Sequence, residues 1–140
     1  MDAARGATPR VVTATILAVE DEALNQALLQ AVLARDPVLH EARLVLAASL
    51  AEGRAAMAAD RFDLVILDMR LPDGDGLTLA RELRGTPNPP AILVLTANVQ
   101  DEWSQAAMDA GADAFIGKPY PPAKLAAEIT RLLERRGALA

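Results

Sequence analysis

Residues 62–76 of the chain read FDLVILDMRLPDGDG, an apolar run that ends abruptly in a carboxylate. Residues 64–67 are four successive apolar residues, two of them β-branched, and this pattern is typical of a strand that is buried on both faces. Asp68 follows directly and therefore lies at the carboxyl end of that strand. In an open parallel sheet, ligands bind in the crevice beyond the carboxyl ends of the strands. Asp68 is therefore the first candidate for a functional residue.

The composition indicates a single α/β domain. A chain of 140 residues is large enough to bury one sizeable core and too short for two full domains. Its residues are 52% hydrophobic but only 3% aromatic, so Ala, Leu, Val and Ile must fill the core, as in a sheet covered by Ala-rich helices. The absence of cysteine excludes a disulfide scaffold and a thiolate metal site, and it fits a cytoplasmic protein.

The charge of the chain bears on its partners. A formal net charge of −5 argues against direct, sequence-independent binding to nucleic acid, which needs a basic surface to displace counterions from phosphates. No stretch reaches the roughly 20 apolar residues that a transmembrane helix needs. We therefore expect a soluble protein that binds neither nucleic acid nor a membrane directly.

The rest of the chain alternates between apolar runs of strand length and segments with helical spacing. The predicted strands cover residues 15–19, 42–48, 64–67, 91–95 and 114–116. A predicted helix follows each strand, and such alternation predicts parallel strands with right-handed crossovers and helices on both faces of the sheet. We expect a flexible N-terminal arm over residues 1–13, the domain itself over residues 14–137, and a short tail over residues 138–140.

Local patterns define two of the helices more closely. In the first, Leu24, Leu28 and Val32 recur at helical spacing with Leu29 and Leu33 beside them, which predicts one inward apolar stripe. In the second, a serine at position 49 and a glutamate at position 52 form the pattern of a capping box, which predicts the start of that helix.

Polar side chains follow four of the five predicted strands and should meet at one edge of the sheet. Glu20 and Asp21 follow the first strand, Asp68 the third, Thr96 the fourth and Lys118 the fifth. Three carboxylates in one crevice repel each other, so the site either raises a pKa or recruits a cation. Oxygen ligands without histidine or cysteine suit Mg²⁺, or Mn²⁺ in its place.

A lysine and a hydroxyl that face a carboxylate cluster are suited to binding the oxygens of a phosphoryl group. The chain contains neither a Gly-x-x-x-x-Gly-Lys-Ser/Thr loop nor a Gly-x-Gly-x-x-Gly motif after its first strand, so it has no sign of a nucleotide site. The phosphoryl group must then arrive on another molecule. Asp68 is the candidate nucleophile, because carboxylates can form aspartyl phosphates.

Four motifs in this order resemble the receiver domains of two-component response regulators. They are Val19-Glu20-Asp21-Glu22, the run from Leu67 to Gly76, Leu95-Thr96-Ala97 and Lys118-Pro119. The resemblance covers roughly residues 15–136 and implies a flavodoxin-like, doubly wound fold with five parallel strands in the order 2-1-3-4-5. It also implies a cis peptide bond between Lys118 and Pro119.

The resemblance implies a phosphoryl-transfer site. Asp68 would accept the phosphoryl group from a phosphohistidine on a sensor histidine kinase or a histidine phosphotransfer protein. Asp21, Asp68 and the backbone carbonyl of Arg70 would bind the metal ion, and Glu20 would support it through a water molecule. Lys118 would pair with a phosphoryl oxygen.

The resemblance also implies a switch. Thr96 would move to bind the phosphoryl group, the Phe115 ring would follow, and the surface of the fourth helix, fifth strand and fifth helix would change for a downstream protein that the sequence does not identify. Ala97 is small, as access to the phosphoryl group requires. Arg70 and Asn98 flank the site at positions that tune the lifetime of the phosphoryl group.

Two features depart from the most frequent receiver pattern. The acid pair is Glu20 and Asp21 rather than two aspartates, and Phe115 lacks the hydroxyl of the frequent tyrosine. We expect a monomer or weak dimer that is not a conventional enzyme, although it assists its own phosphorylation and dephosphorylation. Two alternatives are a pseudo-receiver that binds partners without phosphorylation and a Mg²⁺-dependent phosphatase. The phosphatase is disfavoured because Arg70 stands where a second acid is needed.

Overall fold

The computed structural model describes residues 13–97 and 101–137, with the side chains of residues 101–104 excepted. Nearly all of the predicted arm, the site-flanking residue Asn98 and the predicted tail therefore lie outside the described residues. The predictions made for them stay predictions.

The described residues alternate between strands and helices along the chain. In order, they are β1 (Thr15–Val19), α1 (Ala23–Arg35), β2 (Arg43–Ala47), α2 (Leu50–Ala59), β3 (Leu64–Asp68), β4 (Arg70–Leu71), β5 (Gly74–Asp75), α3 (Gly76–Arg84), β6 (Ala91–Thr96), α4 (Asp101–Asp109), β7 (Ala114–Gly117) and α5 (Pro122–Arg136). The predicted strands and helices all occur, with ends that differ by one or two residues.

The central sheet has five parallel strands in the order β2-β1-β3-β6-β7. Because β6 and β7 are the fourth and fifth strands of this sheet along the chain, the order is the predicted 2-1-3-4-5, and the flavodoxin-like fold is confirmed. The register pairs Val19 with Leu67, Asp68 with Leu95, and Thr96 with Gly117. These pairs align the carboxyl ends of β1, β3, β6 and β7 along one edge.

Strand β3 is the centre of the core, as its apolar run predicted. All five of its residues are buried. Val65 and Leu67 belong to the apolar cluster that includes residues of α2 and α3, whereas Leu64 and Ile66 belong to the cluster on the other face with residues of α1 and α5. A polar side chain at any position within this strand would therefore be buried against one of the two helix layers. This explains why the first polar residue comes only at the end of the strand.

The predicted stripe of α1 is wrong for two of its leucines. Leu24 is 73% exposed and Leu28 is 45% exposed, whereas Leu29 and Leu33 are buried in the core. Successive helical residues are about 100° apart around the axis, so neighbours in sequence lie on different faces. The packing of α1 against the sheet and α5 selects Leu29 and Leu33, with Val32 partly buried beside them.

The first turn of α2 has the predicted capping box. Ser49 is the N-cap, and its hydroxyl oxygen accepts a hydrogen bond from the backbone N–H of Glu52 at 3.1 Å. The carboxylate of Glu52 accepts in return from the N–H of Ala48 at 2.9 Å, one residue before the usual partner.

A short hairpin after β3 was not predicted. Strands β4 and β5 form an antiparallel pair in which Arg70 lies opposite Asp75 and Leu71 lies opposite Gly74. Two-residue strands are too short to have a recognisable alternation in the sequence, so this segment had the pattern of a simple loop. The hairpin matters because it begins two residues after Asp68.

Among the described residues, no helix combines the length and apolar character that a bilayer crossing requires.

The two faces of α1 provide a matched test of the core. We expect Leu29→Ala to lower the free energy of unfolding by about 2–5 kcal/mol, because it removes a buried side chain and leaves a cavity. The control Leu24→Ala on the exposed face should change it by no more than about 0.5 kcal/mol. Urea unfolding followed by circular dichroism measures both. Equal losses for the two variants would mean that the described packing of α1 is incorrect.

Candidate functional site

Backbone hydrogen bonds bring the four predicted strand ends together. Asp68 is the last residue of β3 and Thr96 is the last residue of β6. Glu20 follows β1, and its N–H donates to the carbonyl of Ala47 at 2.8 Å. Lys118 follows β7, and its N–H donates to the carbonyl of Thr96 at 2.7 Å. The parallel ladder is thus continued one residue past β1 and β7, which places their next side chains at the same edge.

The ammonium group of Lys118 lies between two buried carboxylates. Its Nζ is 3.0 Å from Oε1 of Glu20 and 3.2 Å from Oδ2 of Asp68. Glu20 is only 1% exposed and Asp68 only 9% exposed. Charges removed from water to this extent are tolerated when they are paired and hydrogen-bonded, so Lys118 stabilises both carboxylates.

The charge of Lys118 is itself maintained by these neighbours. Burial alone lowers the pKa of the ammonium group, but the hydrogen bond to Glu20 and the negative charges of Asp68 and Glu20 together outweigh it. The pKa of Lys118 is therefore raised above its ordinary value. The group stays protonated at neutral pH and remains available as a fixed positive charge.

Glu20 is held from a second side by residues that sequence reasoning did not single out. Its Oε2 accepts from the N–H of Glu22 at 3.1 Å, and its carbonyl accepts from the amide of Gln26 at 2.7 Å. Both oxygens of the Glu20 carboxylate thus have protein partners, whereas Asp21 beside it is exposed. A glutamine on the first turns of α1 has no pattern that distinguishes it, so no sequence signal could have identified Gln26.

The carboxylates of Glu20, Asp21 and Asp68 have the character of a cation site. One oxygen of each lies within 4.8 Å of the others. The donor set contains only oxygen atoms, which are the ligands that Mg²⁺ prefers. Lys118 supplies a single positive charge to these three carboxylates, so this group of four side chains retains negative charge that a divalent ion would neutralise. The residues present therefore fit a magnesium ion.

The chain folds tightly around Asp68. The N–H of Arg70 points at Oδ1 of Asp68 from 3.4 Å, and the N–H of Gly76 donates to the carbonyl of Met69 at 2.9 Å. A Cβ atom on Gly76 would lie 2.0 Å from the carbonyl oxygen of Asp68, so only glycine fits there. From the sequence, Gly76 was named only as the end of the motif that begins at Leu67, and its close approach to Asp68 was missed.

The remaining predicted residues lie around this centre. Thr96 is 5% exposed at the end of β6, and Ala97 after it is exposed. Phe115 on β7 is partly buried against the apolar cluster that includes residues of α3. Arg70 is exposed at the start of the hairpin. The expected cis peptide bond between Lys118 and Pro119 is present.

Comparison with known proteins identifies the family of the chain. A family model described as "Response regulator receiver domain" matches residues 16–130. Because that match covers most of the chain, the protein belongs to the family of response regulator receiver domains. The resemblance inferred from the four motifs is thereby confirmed.

Proteins similar to this chain include a transcriptional regulatory protein and a response regulator. The KDP operon transcriptional regulatory protein KdpE of Escherichia coli (strain K12) is 37% identical over 123 residues, which are 88% of this chain and 52% of KdpE. The response regulator MprA of Mycobacterium tuberculosis (strain H37Rv) is 43% identical over 79 residues, which are 56% of this chain and 34% of MprA. The chain thus spans about half the length of KdpE and about a third of MprA.

A solved structure gives the same result for the fold. The BeF3-activated N-terminal receiver domain of RstA from Klebsiella pneumoniae has a TM-score of 0.76 and 33% sequence identity to this chain. The match covers 85% of this chain and 97% of the RstA chain.

Lys118 should make the stability of the protein fall at high pH. Because the pKa of Lys118 is raised on folding, its contribution is complete below the ordinary lysine pKa of about 10.4 and is lost as the pH rises through the folded-state pKa. Urea unfolding above roughly pH 10.4 should show this loss, and Lys118→Met should not show it. Both proteins should carry Tyr120→Phe, since burial raises the pKa of that phenol as well. A pH-independent difference between them would contradict the prediction.

Gly76 should tolerate no side chain. We expect Gly76→Ala to lower the free energy of unfolding by about 1–3 kcal/mol, because the new Cβ overlaps the carbonyl of Asp68 and the backbone must shift. The control is Gly85→Ala, where a Cβ would lie 3.6 Å from the carbonyl of Glu82 and φ is −82°. That variant should change stability by less than about 1 kcal/mol. Amide resonances of Met69 and Arg70 should move in the first variant alone.

Proposed function

We propose that Asp68 is the phosphoacceptor of this receiver domain and that its donor is a phosphohistidine on a sensor histidine kinase or histidine phosphotransfer protein. The observation that carries the proposal is the position of Asp68 at the end of β3, where it lies beside the ammonium of Lys118 and within 4.8 Å of carboxylate oxygens of Glu20 and Asp21. Membership of the receiver family supports a phospho-accepting function in two-component signalling.

In the transfer, a carboxylate oxygen of Asp68 attacks the phosphorus atom. A bond between oxygen and phosphorus forms, the bond between phosphorus and the imidazole nitrogen breaks, and the electron pair stays on the imidazole. Such transfers need positioning and charge neutralisation more than covalent help from the protein. Mg²⁺, held by Asp21, Asp68 and the backbone carbonyl of Arg70 and supported by Glu20 through water, would neutralise charge on the phosphoryl oxygens.

Lys118 changes its partner in this proposal. In the unphosphorylated protein its ammonium neutralises the carboxylate of Asp68 at 3.2 Å. Transfer converts that single negative charge into a phosphoryl group of about two negative charges, on oxygens that extend further from the backbone. Lys118 then pairs with one of these oxygens and keeps Glu20 as its second partner. The same lysine therefore serves both states.

The output depends on residues at the neighbouring strand ends. We propose that the hydroxyl of Thr96 binds the phosphoryl group, with the small Ala97 leaving room, and that the ring of Phe115 follows this movement. Local contacts made only with the phosphorylated form bias a two-state equilibrium. The surface of α4, β7 and α5 would change with it and bind a downstream protein. Arg70 and Asn98 would tune how long the phosphoryl group survives.

Several finer expectations stay predictions. They are the state as a monomer or weak dimer, the cytoplasmic location, and the absence of direct nucleic-acid binding. The last of these needs a direct test because KdpE is a transcriptional regulatory protein. Receiver domains are generally not conventional enzymes. No observation on the described residues favours the pseudo-receiver or the small-molecule phosphatase over the phosphoacceptor.

The decisive experiment follows the mass of the intact protein with Mg²⁺ and acetyl phosphate. We expect the wild type to gain one phosphoryl group and Asp68→Asn to gain none. The control is Asp109→Asn, which makes the same substitution on α4, at a carboxylate that accepts a hydrogen bond from Gln105. This variant should be phosphorylated normally. Without any adduct, and without a change in amide spectra on adding beryllofluoride, the pseudo-receiver would replace this proposal. Many turnovers of small phosphoesters per protein would instead indicate a phosphatase.

A further inference from the structure

The tip of the hairpin formed by β4 and β5 is bound to the start of helix α2. The backbone N–H of Leu50 donates to Oδ1 of Asp73 at 2.8 Å, and the N–H of Ala51 donates to Oδ2 of Asp73 at 3.0 Å. Asp73 lies 23 residues beyond Leu50 in the sequence. One carboxylate therefore joins two segments that the sequence keeps far apart.

The first turn of α2 needs this carboxylate. The first N–H groups of a helix have no partner within the helix, and side chains usually satisfy them. The local cap is Ser49, whose hydroxyl oxygen accepts a hydrogen bond from the N–H of Glu52 at 3.1 Å. Asp73 accepts from the N–H groups of Leu50 and Ala51, which precede Glu52. The helix start is therefore capped jointly by its own serine and by the hairpin.

Packing holds the same two segments together. Gly74 has a φ of +147°, and a Cβ atom on it would lie 2.9 Å from Cδ1 of Leu50. Leu50 is 3% exposed and belongs to the same apolar cluster as Met69 and Leu71, which flank Arg70. The hairpin tip therefore rests directly on the first residue of α2 and has little freedom to shift along it.

The other end of the hairpin is part of the phosphorylation site. Arg70 opens β4 two residues after Asp68, and its N–H points at the Asp68 carboxylate from 3.4 Å. Gly76 closes the segment against the carbonyl of Asp68. Residues 68–76 thus have fixed ends at the acceptor, and their tip is fixed by Asp73.

We propose that Asp73 is a positioning residue of the phosphorylation site, because it holds the hairpin on α2 and so sets where the backbone of Arg70 lies relative to the acceptor and the carboxylates. The inference rests on the proposed function, since it assigns the carbonyl of Arg70 to the metal ion. A group that orients a ligand of a metal ion commonly affects metal affinity as well as stability. A simple helix cap would affect stability alone.

The charge of Asp73 is suited to this task. Hydrogen bonds from the N–H groups of Leu50 and Ala51, with a smaller contribution from the positive charge of Arg54, hold the pKa of the Asp73 carboxyl below its ordinary value. The carboxylate is therefore ionised throughout the neutral range, and both of its oxygens remain acceptors.

The test measures the initial rate of phosphorylation by acetyl phosphate across a series of Mg²⁺ concentrations, with intact mass as the readout. Asp73→Ala should need about tenfold more Mg²⁺ for half of its maximal rate. Asp73→Asn should be shifted less, because its carbonyl oxygen still accepts one N–H. Ser49→Ala removes a cap from the same helix without touching the hairpin. It should lower the melting temperature as Asp73→Ala does and keep the wild-type Mg²⁺ dependence.

The outcomes separate the two levels of the proposal. An unchanged Mg²⁺ dependence in Asp73→Ala, or an equal shift in Ser49→Ala, overturns the positioning role while the wild-type adduct upholds Asp68 as the acceptor. A wild type that forms no adduct overturns the proposed function and this inference with it. Circular dichroism verifies that each variant is folded, and if Asp73→Ala is not, the comparison of Asp73→Asn with Ser49→Ala decides.

Discussion

The ammonium of Lys118, placed between the carboxylates of Glu20 and Asp68, is the interaction on which the site depends. Without it, two almost fully buried negative charges would face each other at the end of the sheet, and burial would oppose their ionised forms. With it, each of these carboxylates has a positive partner in a largely desolvated position. These three side chains can meet only because β1, β3 and β7 end at the same edge, and the parallel sheet places their ends there.

Much of this arrangement could be predicted because it follows from one rule. Parallel strands place their carboxyl ends together, so the polar residues after each apolar run had to converge. The pairing of Lys118 with Glu20 was not predicted, because strand order alone does not determine which carboxylate a long side chain reaches. The exposure of Leu24 and Leu28 was missed for a related reason. Helix α1 has leucines on more than one face, and only the packing of the whole domain selects which are buried.

The features that sequence could not indicate are those built from single contacts. The close approach of Gly76 to the carbonyl of Asp68 and the reach of Asp73 to the start of α2 involve one residue each, so they produce no periodic pattern. They nevertheless constrain the backbone around Asp68 more directly than the apolar core does. A sequence therefore reports well on where a strand ends and poorly on how the loop after it is held.

The pairing of Lys118 with Glu20 joins residues that are 98 positions apart in the chain. Closing a loop of that length costs conformational entropy that only the assembled sheet can offset. The ammonium of Lys118 therefore reaches Asp68 only when β7, at the edge of the described sheet, is paired with β6. The electrostatic environment of Asp68 is in this way a property of the assembled sheet, since the residue that supplies its positive charge comes from the far end of the fold.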